Sequence, residues 1–101
     1  MILYNTTFHV SDQLVSDFLT WLGQNYVGTA LDAGLSSPAL MKLVDHIEEG
    51  WTSFALHLYA PTVDDVRDWE CGARQRLHSE IATKWGENVL SFSTPMEVLG
   101  L

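Results

Sequence analysis

Hydrophobic and polar residues alternate with a period of two in several stretches and with a period near 3.6 in two others. The clearest alternation runs from Trp51 to Ala60. Thr52, Phe54, Leu56, Leu58 and Ala60 form one face; Trp51, Ser53, Ala55, His57 and Tyr59 form the other. One apolar face and one half-polar face predict a central strand of an antiparallel sheet covered by helices on one side only. Ile2 to Val10 repeats the pattern, with Ile2, Tyr4, Thr6, Phe8 and Val10 set against Leu3, Asn5, Thr7 and His9, and is expected to be strand one.

Between these strands, Leu14, Val15, Phe18, Trp21, Leu22, Tyr26, Val27, Ala30 and Leu31 recur at three and four residues. They predict a first helix, capped by Ser11 and Asp12 and ended by Gly34 in the left-handed conformation. Gly23 and Gly28 predict a kink or break inside it. Leu35 to Pro38 reads as a loop, and Ala39 to Ile47 as strand two, joined by a tight Glu48-Glu49-Gly50 turn to the central strand. Pro61 stops that strand, and Thr62 with Asp65 forms a capping box. A second helix follows as far as Gly86, with Val66, Trp69, Ala73, Leu77 and Ile81 inward. Val89 to Thr94 is expected to be strand four, with an irregular tail from Pro95 to Leu101.

The order β-α-β-β-α-β, with short connections and right-handed crossovers, predicts an α+β fold. It is the ferredoxin-like split β-α-β arrangement, with an antiparallel sheet in the order 4-1-3-2 and both helices on one face. A chain of 101 residues is expected to form a single domain, residues 1–101, with one core. The composition, 47% hydrophobic and 18% charged, is that of a folding chain.

Charge narrows the partners. Thirteen acids against five bases give a net charge of −8, which repels phosphate backbones and anionic lipid. No nucleic-acid or membrane partner is therefore expected, and no apolar run approaches the ~20 residues that cross a bilayer. Four of the five bases, Arg67, Arg74, Arg76 and Lys84, lie in the second helix among acids, as a solvated face stitched by i,i+4 pairs. The single cysteine, Cys71, excludes an intrachain disulfide, and the opening Met-Ile-Leu-Tyr-Asn lacks the features of a signal peptide. Both point to the cytoplasm. Cys71 has no partner residue at a nucleophile's spacing.

The outer, half-polar face holds the candidate chemistry. With strand one antiparallel to the central strand, Asn5 falls beside His57 and His9 beside Ser53. A two-residue Glu49-Gly50 turn would add Lys42 to the first row and His46 to the second, with Tyr59 beyond. Asn5, His9, Trp51, His57 and Tyr59 are the candidate ligand-binding residues. Among them His57 is the candidate acid or base, flanked by Asn5 and Tyr59, and Lys42 beside it would favour the neutral imidazole. The plainer alternative is that the same groups form a partly wet dimer interface. His46 to His57, at about 13 Å, and His9 to His46, at about 10 Å, are too far apart for a compact three-ligand site, so no metal is expected. No phosphate loop, nucleophile elbow or dinucleotide fingerprint occurs, and no cofactor is expected. Trp21, Trp69 and Trp85 are expected as core or interface anchors, whereas Trp51 falls on the outer face, as a platform for a planar ligand or a plug in a dimer seam.

Three places carry a family resemblance. They are the opening Ile2-Leu3-Tyr4-Asn5-Thr6-Thr7, the Leu19-Thr20-Trp21-Leu22 segment leading to Gly34-Leu35, and the Glu48-Glu49-Gly50 turn before Phe54-Ala55-Leu56-His57-Leu58-Tyr59. Together they are similar to a family of short bacterial proteins known only as a domain of unknown function. The resemblance implies a ferredoxin-like fold of the dimeric α/β-barrel type, in which two sheets pack face to face, and it implies no activity. Where such relatives carry His-Ile-Pro, this chain has Tyr26-Val27-Gly28, so a role for that histidine does not transfer.

The outer face cannot be reached by either helix, and Leu3, Trp51, Ala55 and Tyr59 would leave it apolar in water. A homodimer sealed by these four residues is therefore expected, with a small ligand held between the sheets. The alternatives are a small cofactor-independent enzyme of oxygenase or isomerase type, using His57 with Asn5 and Tyr59, and a protein-interaction module that binds a strand at its edge.

Overall fold

The computed structural model describes residues 1–45 and 47–101. Four strands form one antiparallel sheet: β1 (Ile2–Ser11), β2 (Ser36–Lys42), β3 (Trp51–Ala60) and β4 (Val89–Glu97). Their order is β2-β3-β1-β4, the predicted topology. Helices α1 (Val15–Trp21), α2 (Val27–Asp32), α3 (Val63–Cys71) and α4 (Ala73–Trp85) cover one face. The smallest extent of the molecule is 18 Å, room for one sheet and one helical layer. No helix among the described residues is long and apolar enough to cross a membrane.

β1 and β3 pair over their whole length, from Ile2 opposite Ala60 to Ser11 opposite Trp51. Tyr4, Phe8, Val10, Phe54, Leu56 and Leu58 are buried beneath the helices, as the alternation requires. Phe18, Trp21, Leu22, Tyr26 and Ala30 from the first helical segment, with Val66, Trp69, Leu77 and Ile81 from the second, complete the core. Aromatic rings fill its centre: Phe8 lies 5.1 Å from Phe18 and edge-on to Tyr26 at 5.6 Å, and Trp85 closes the rim against Phe18 and Trp21.

Several local expectations are corrected. Ser11 makes no side-chain cap; the helical segment opens with a 3-10 turn, Asp12–Leu14, and the Asp12 carboxylate accepts a 2.7 Å hydrogen bond from Thr52 Oγ1 instead. The first helix is distorted at Gly23 but not at Gly28: a π turn, Leu22–Tyr26, joins α1 to α2 and absorbs the extra residue without breaking the segment. Leu31, expected inward, is 44% exposed. Gly34 takes the left-handed conformation, at φ 95°.

The second helix carries the capping box, with Asp65 N–H donating to Thr62 Oγ1 at 3.2 Å and Thr62 N–H to Asp65 Oδ2 at 3.1 Å. It is interrupted at Gly72, whose φ −111° and ψ −113° lie outside the helical region. A Cβ there would stand 2.9 Å from the Asp68 carbonyl oxygen, so the chain turns where only glycine fits. Cys71, the last residue of α3, is exposed. No lysine or arginine forms an ion pair among the described residues, so the expected i,i+4 pairs are not made. Arg67, Arg76 and Lys84 are exposed and keep their freedom in water, whereas Arg74, expected on the same solvated face, is half-buried and turned under the sheet. β4 continues past Thr94 to Glu97 because Pro95 and Met96 still pair with Tyr4 and Leu3.

β2 departs most. It spans Ser36–Lys42, not Ala39 to Ile47. Its pairing is irregular between Ser36 and Ala39, where Ser37 has a positive φ of 52°. Beyond it the bond from Leu43 N–H to Ser53 O, 2.9 Å, is the last to β3; Trp51 N–H closes the turn separately on Glu48 O at 3.1 Å. Ile47, expected in the strand, is 79% exposed.

The inner face of β4 is polar. Val89 is buried, but Ser91 and Ser93 follow it on the helix side, opposite Phe8 and Thr6. They join a hydrogen-bonded cluster under the sheet. Thr6 Oγ1 and Ser93 Oγ are 2.9 Å apart, and Arg74 Nη2 donates to Ser93 Oγ at 3.1 Å. His78 stands between Tyr26 OH, 2.7 Å from Nε2, and Ser91 Oγ, 3.3 Å from Nδ1. Tyr4 OH donates to Glu70 Oε2 at 2.8 Å. Burial, with the Arg74 guanidinium adding to it, lowers the His78 pKa from 6.5 to about 4, so the ring is neutral. Burial raises Tyr4 to about 12 and pushes Tyr26 higher still, so both phenols keep their protons.

Two predictions follow from this packing. Gly72→Ala drives a Cβ into a backbone carbonyl and is expected to lower stability by about 1–3 kcal/mol. Gly28→Ala, with nothing within 4 Å of the new carbon, is expected to add up to about 1 kcal/mol. Urea unfolding midpoints read both, and equal signs would contradict the assignment.

The other concerns acid. Because the His78 pKa is depressed in the folded chain, the unfolded chain takes up the proton first as pH falls from 6.5 to about 4. Stability contributed by the neutral ring is complete above that window and lost across it, on the order of 1 kcal/mol once discounted for partial solvation. Wild type and His78→Gln should therefore converge in urea midpoint between pH 7 and pH 4, and parallel pH profiles would refute the assignment.

Candidate functional site

The outer sheet face is assembled from alternate residues of all four strands. β1 supplies Leu3, Asn5, Thr7 and His9, and β3 supplies Trp51, Ser53, Ala55, His57 and Tyr59. β4 adds Leu90, Phe92, Thr94 and Met96, which pair with His9, Thr7, Asn5 and Leu3. β2 adds Ala39 and Met41, opposite His57 and Ala55. The expected neighbours Asn5–His57 and His9–Ser53 are in register. Lys42 is not beside His57: it pairs with Phe54, three residues away along β3, and so belongs to the helix-side set. The long connection to β3, in place of a two-residue turn, displaces the register by those three residues. His46 lies outside the described residues.

At the centre of the face the polar groups are sparsely engaged. Asn5 Nδ2 donates to Thr7 Oγ1 at 3.3 Å, and Asn5 Oδ1 is buried without a partner. His57 and Tyr59 are half-buried and make no side-chain hydrogen bond to another described residue. The rest is apolar. Phe92 is 63% exposed, Leu90 48%, Met96 42% and Met41 38%, around the half-buried Leu3 and Ala55.

At the end near the β2–β3 connection the groups converge. His9 Nδ1 is 2.6 Å from Ser53 Oγ, and His9 Nε2 is 3.1 Å from Glu48 Oε2. The Trp51 indole lies flat on the imidazole, with ring centres 4.7 Å apart and planes 6° from parallel. Trp51 thus stacks on a side chain of its own sheet face. A cleft of about 280 Å³ opens beside the cluster, lined by Glu48, Gly50, Trp51 and Ser53 among others.

Glu48 was expected only as a turn residue, and its part here depends on a loop path that periodicity does not encode. His78 escaped notice because it sits beside the apolar stripe of its helix, with no motif to single it out. Its partners, Tyr26 and Ser91, come from other elements of the chain.

Comparison with known proteins places the fold. The chain is similar to a solved dimeric ferredoxin-like protein from an uncultured marine organism, with a TM-score of 0.67 over 100% of this chain and 97% of that one, at 10% identity. At that identity the likeness speaks for the fold alone. No curated protein matches the sequence. The model of the domain of unknown function DUF4286 matches residues 1–99, and the chain therefore belongs to that family.

Proposed function

We propose that the outer sheet face is a homodimer interface enclosing a small-molecule pocket, in a cytoplasmic protein. One observation carries this reading: Phe92, Leu90, Met96 and Met41 stand exposed around Leu3, Ala55 and Tyr59 on the face that no helix covers. An apolar surface of that extent in water is costly, and a twofold axis removes it with one self-complementary contact. The dimeric description of the solved ferredoxin-like neighbour supports the same assembly. Trp51 and Tyr59 flank the seam in this arrangement, and Leu3 and Ala55 lie within it.

The pocket is the polar row Asn5–His57, with Tyr59 two residues along β3. The unpartnered Asn5 Oδ1 favours an occupant that brings a hydrogen-bond donor. A cofactor-independent enzyme of oxygenase or isomerase type, with His57 as the base and Asn5 and Tyr59 orienting the substrate, is the second reading, and it rests on the same Asn5 oxygen.

Ala55→Arg places a charge near the middle of the face on both copies. It is expected to weaken dimerisation by at least ~10²-fold, the cost of an unpaired buried charge. Sedimentation equilibrium at micromolar concentration checks it: a wild-type mass of one chain, or an undiminished dimer in the variant, refutes the proposal. For the pocket, native mass spectrometry of the purified dimer should find a small molecule that Asn5→Leu and His57→Leu release.

A further inference from the structure

We propose that Ser53, His9 and Glu48 form a nucleophilic acyl-transfer centre that accepts small activated esters. The proposal does not rest on dimerisation, since all three residues belong to one chain and meet at the end of the sheet.

A carboxylate can only accept, so the 3.1 Å contact with Glu48 Oε2 requires the proton on His9 Nε2 in the neutral ring. Nδ1 then presents its lone pair to Ser53 Oγ at 2.6 Å, and the Ser53 hydroxyl donates to it. The order is nucleophile, base, orienting carboxylate, each within hydrogen-bond reach, which is how such a centre is recognised on unrelated folds. The ring is held in two further ways. Trp51 stacks on its plane, and β1–β3 pairing sets His9 directly opposite Ser53 on the outer face. A serine and a histidine on neighbouring, fully paired strands lose little freedom on reaching this geometry.

The cleft of about 280 Å³ beside Ser53 offers room for a small acyl group. In the reaction, Ser53 Oγ attacks the acyl carbonyl carbon while His9 Nδ1 takes the hydroxyl proton. The tetrahedral intermediate collapses with cleavage of the bond to the leaving oxygen or sulfur, which receives that proton from His9. Water, deprotonated by His9 in its turn, attacks the acyl-serine; Ser53 recovers its proton and a carboxylic acid departs. The substrate class is an aryl ester or thioester, because a good leaving group lowers the demand on stabilising the oxyanion.

The test uses p-nitrophenyl acetate with the full-length protein. A burst of p-nitrophenolate equal to one per chain is expected, with one acetyl group located on Ser53 by peptide mass spectrometry. Ser53→Ala should abolish the burst, and His9→Gln should slow acylation by on the order of 10²-fold or more, with unchanged circular dichroism. Glu48 acts through His9 as a positioning residue. Glu48→Gln should lower kcat on the order of 10²-fold without moving KM, and Glu48→Asp should restore part of it. Acetyl on another side chain, a full burst in Ser53→Ala, or no acylation of folded wild type each overturns the proposal. Because the readout is a covalent product, an unreactive wild type that still sediments as a dimer refutes the acyl centre alone. A reactive wild type that sediments as one chain refutes the dimer alone.

Discussion

The antiparallel pairing of β1 with β3 is the constraint on which the rest depends. Ten residues of each strand pair without a bulge, from Ile2 opposite Ala60 to Ser11 opposite Trp51. Side chains alternate strictly across a strand, so this one register decides two things together. It sends Tyr4, Phe8, Phe54, Leu56 and Leu58 into the core and sets Asn5 beside His57 and His9 beside Ser53 on the other side. A slip of one residue would expose the aromatic core and bury the histidines. The tightly packed rings around Phe8 and Phe18 therefore hold the geometry of the outer face as firmly as they hold the fold.

β4 inverts the usual polarity and links the two faces. The first two inward residues after Val89 are serines, and its outward residues include Leu90, Phe92 and Met96. Serines beneath a sheet need partners, and they find them in Thr6, Arg74 and His78. That requirement accounts for a neutral histidine and a guanidinium tucked between α4 and the sheet, where aliphatic packing would otherwise be expected. Hydrophobic residues placed outward along the same strand bring no benefit to an isolated monomer. The two oddities are one: the apolar residues of β4 lie where a second surface, and not the chain's own helices, can bury them.

The strand order, both helical faces and the neighbour pairs Asn5–His57 and His9–Ser53 were legible because they rest on periodicity sustained over ten residues or more. The Thr62–Asp65 cap was legible because its chemistry is local and complete within four residues. The register of β2 was not. It depends on how many residues the connection to β3 takes up, and Glu48-Glu49-Gly50 offers the same turn chemistry whether two residues or several leave the sheet. A positive φ at Ser37 carries no residue signal either, since serine is not selected for that conformation. Glycines misled in both directions. Gly28 lies in α2 without disturbing it, whereas Gly72 ends a helix because the Asp68 carbonyl leaves no room for a Cβ, a contact set by packing and not by composition.

The failure at β2 is also what the His9 cluster depends on. In a two-residue hairpin, Glu48 would be the last residue of a strand, opposite Trp51 and held to the ladder. In the structure β2 ends at Lys42, its last bond to β3 is made by Leu43 N–H, and the turn closed by Trp51 N–H on Glu48 O is separate from that ladder. From there the Glu48 carboxylate reaches the far nitrogen of His9, while Trp51, the first residue of β3, lies on the ring. The same loop thus supplies both the group that fixes the tautomer and, at its exit, the surface that fixes the plane. Remove Glu48 and either nitrogen of His9 can carry the proton, so Ser53 meets a lone pair only part of the time. The departure from regular strand pairing is where the chemistry of this face becomes specific.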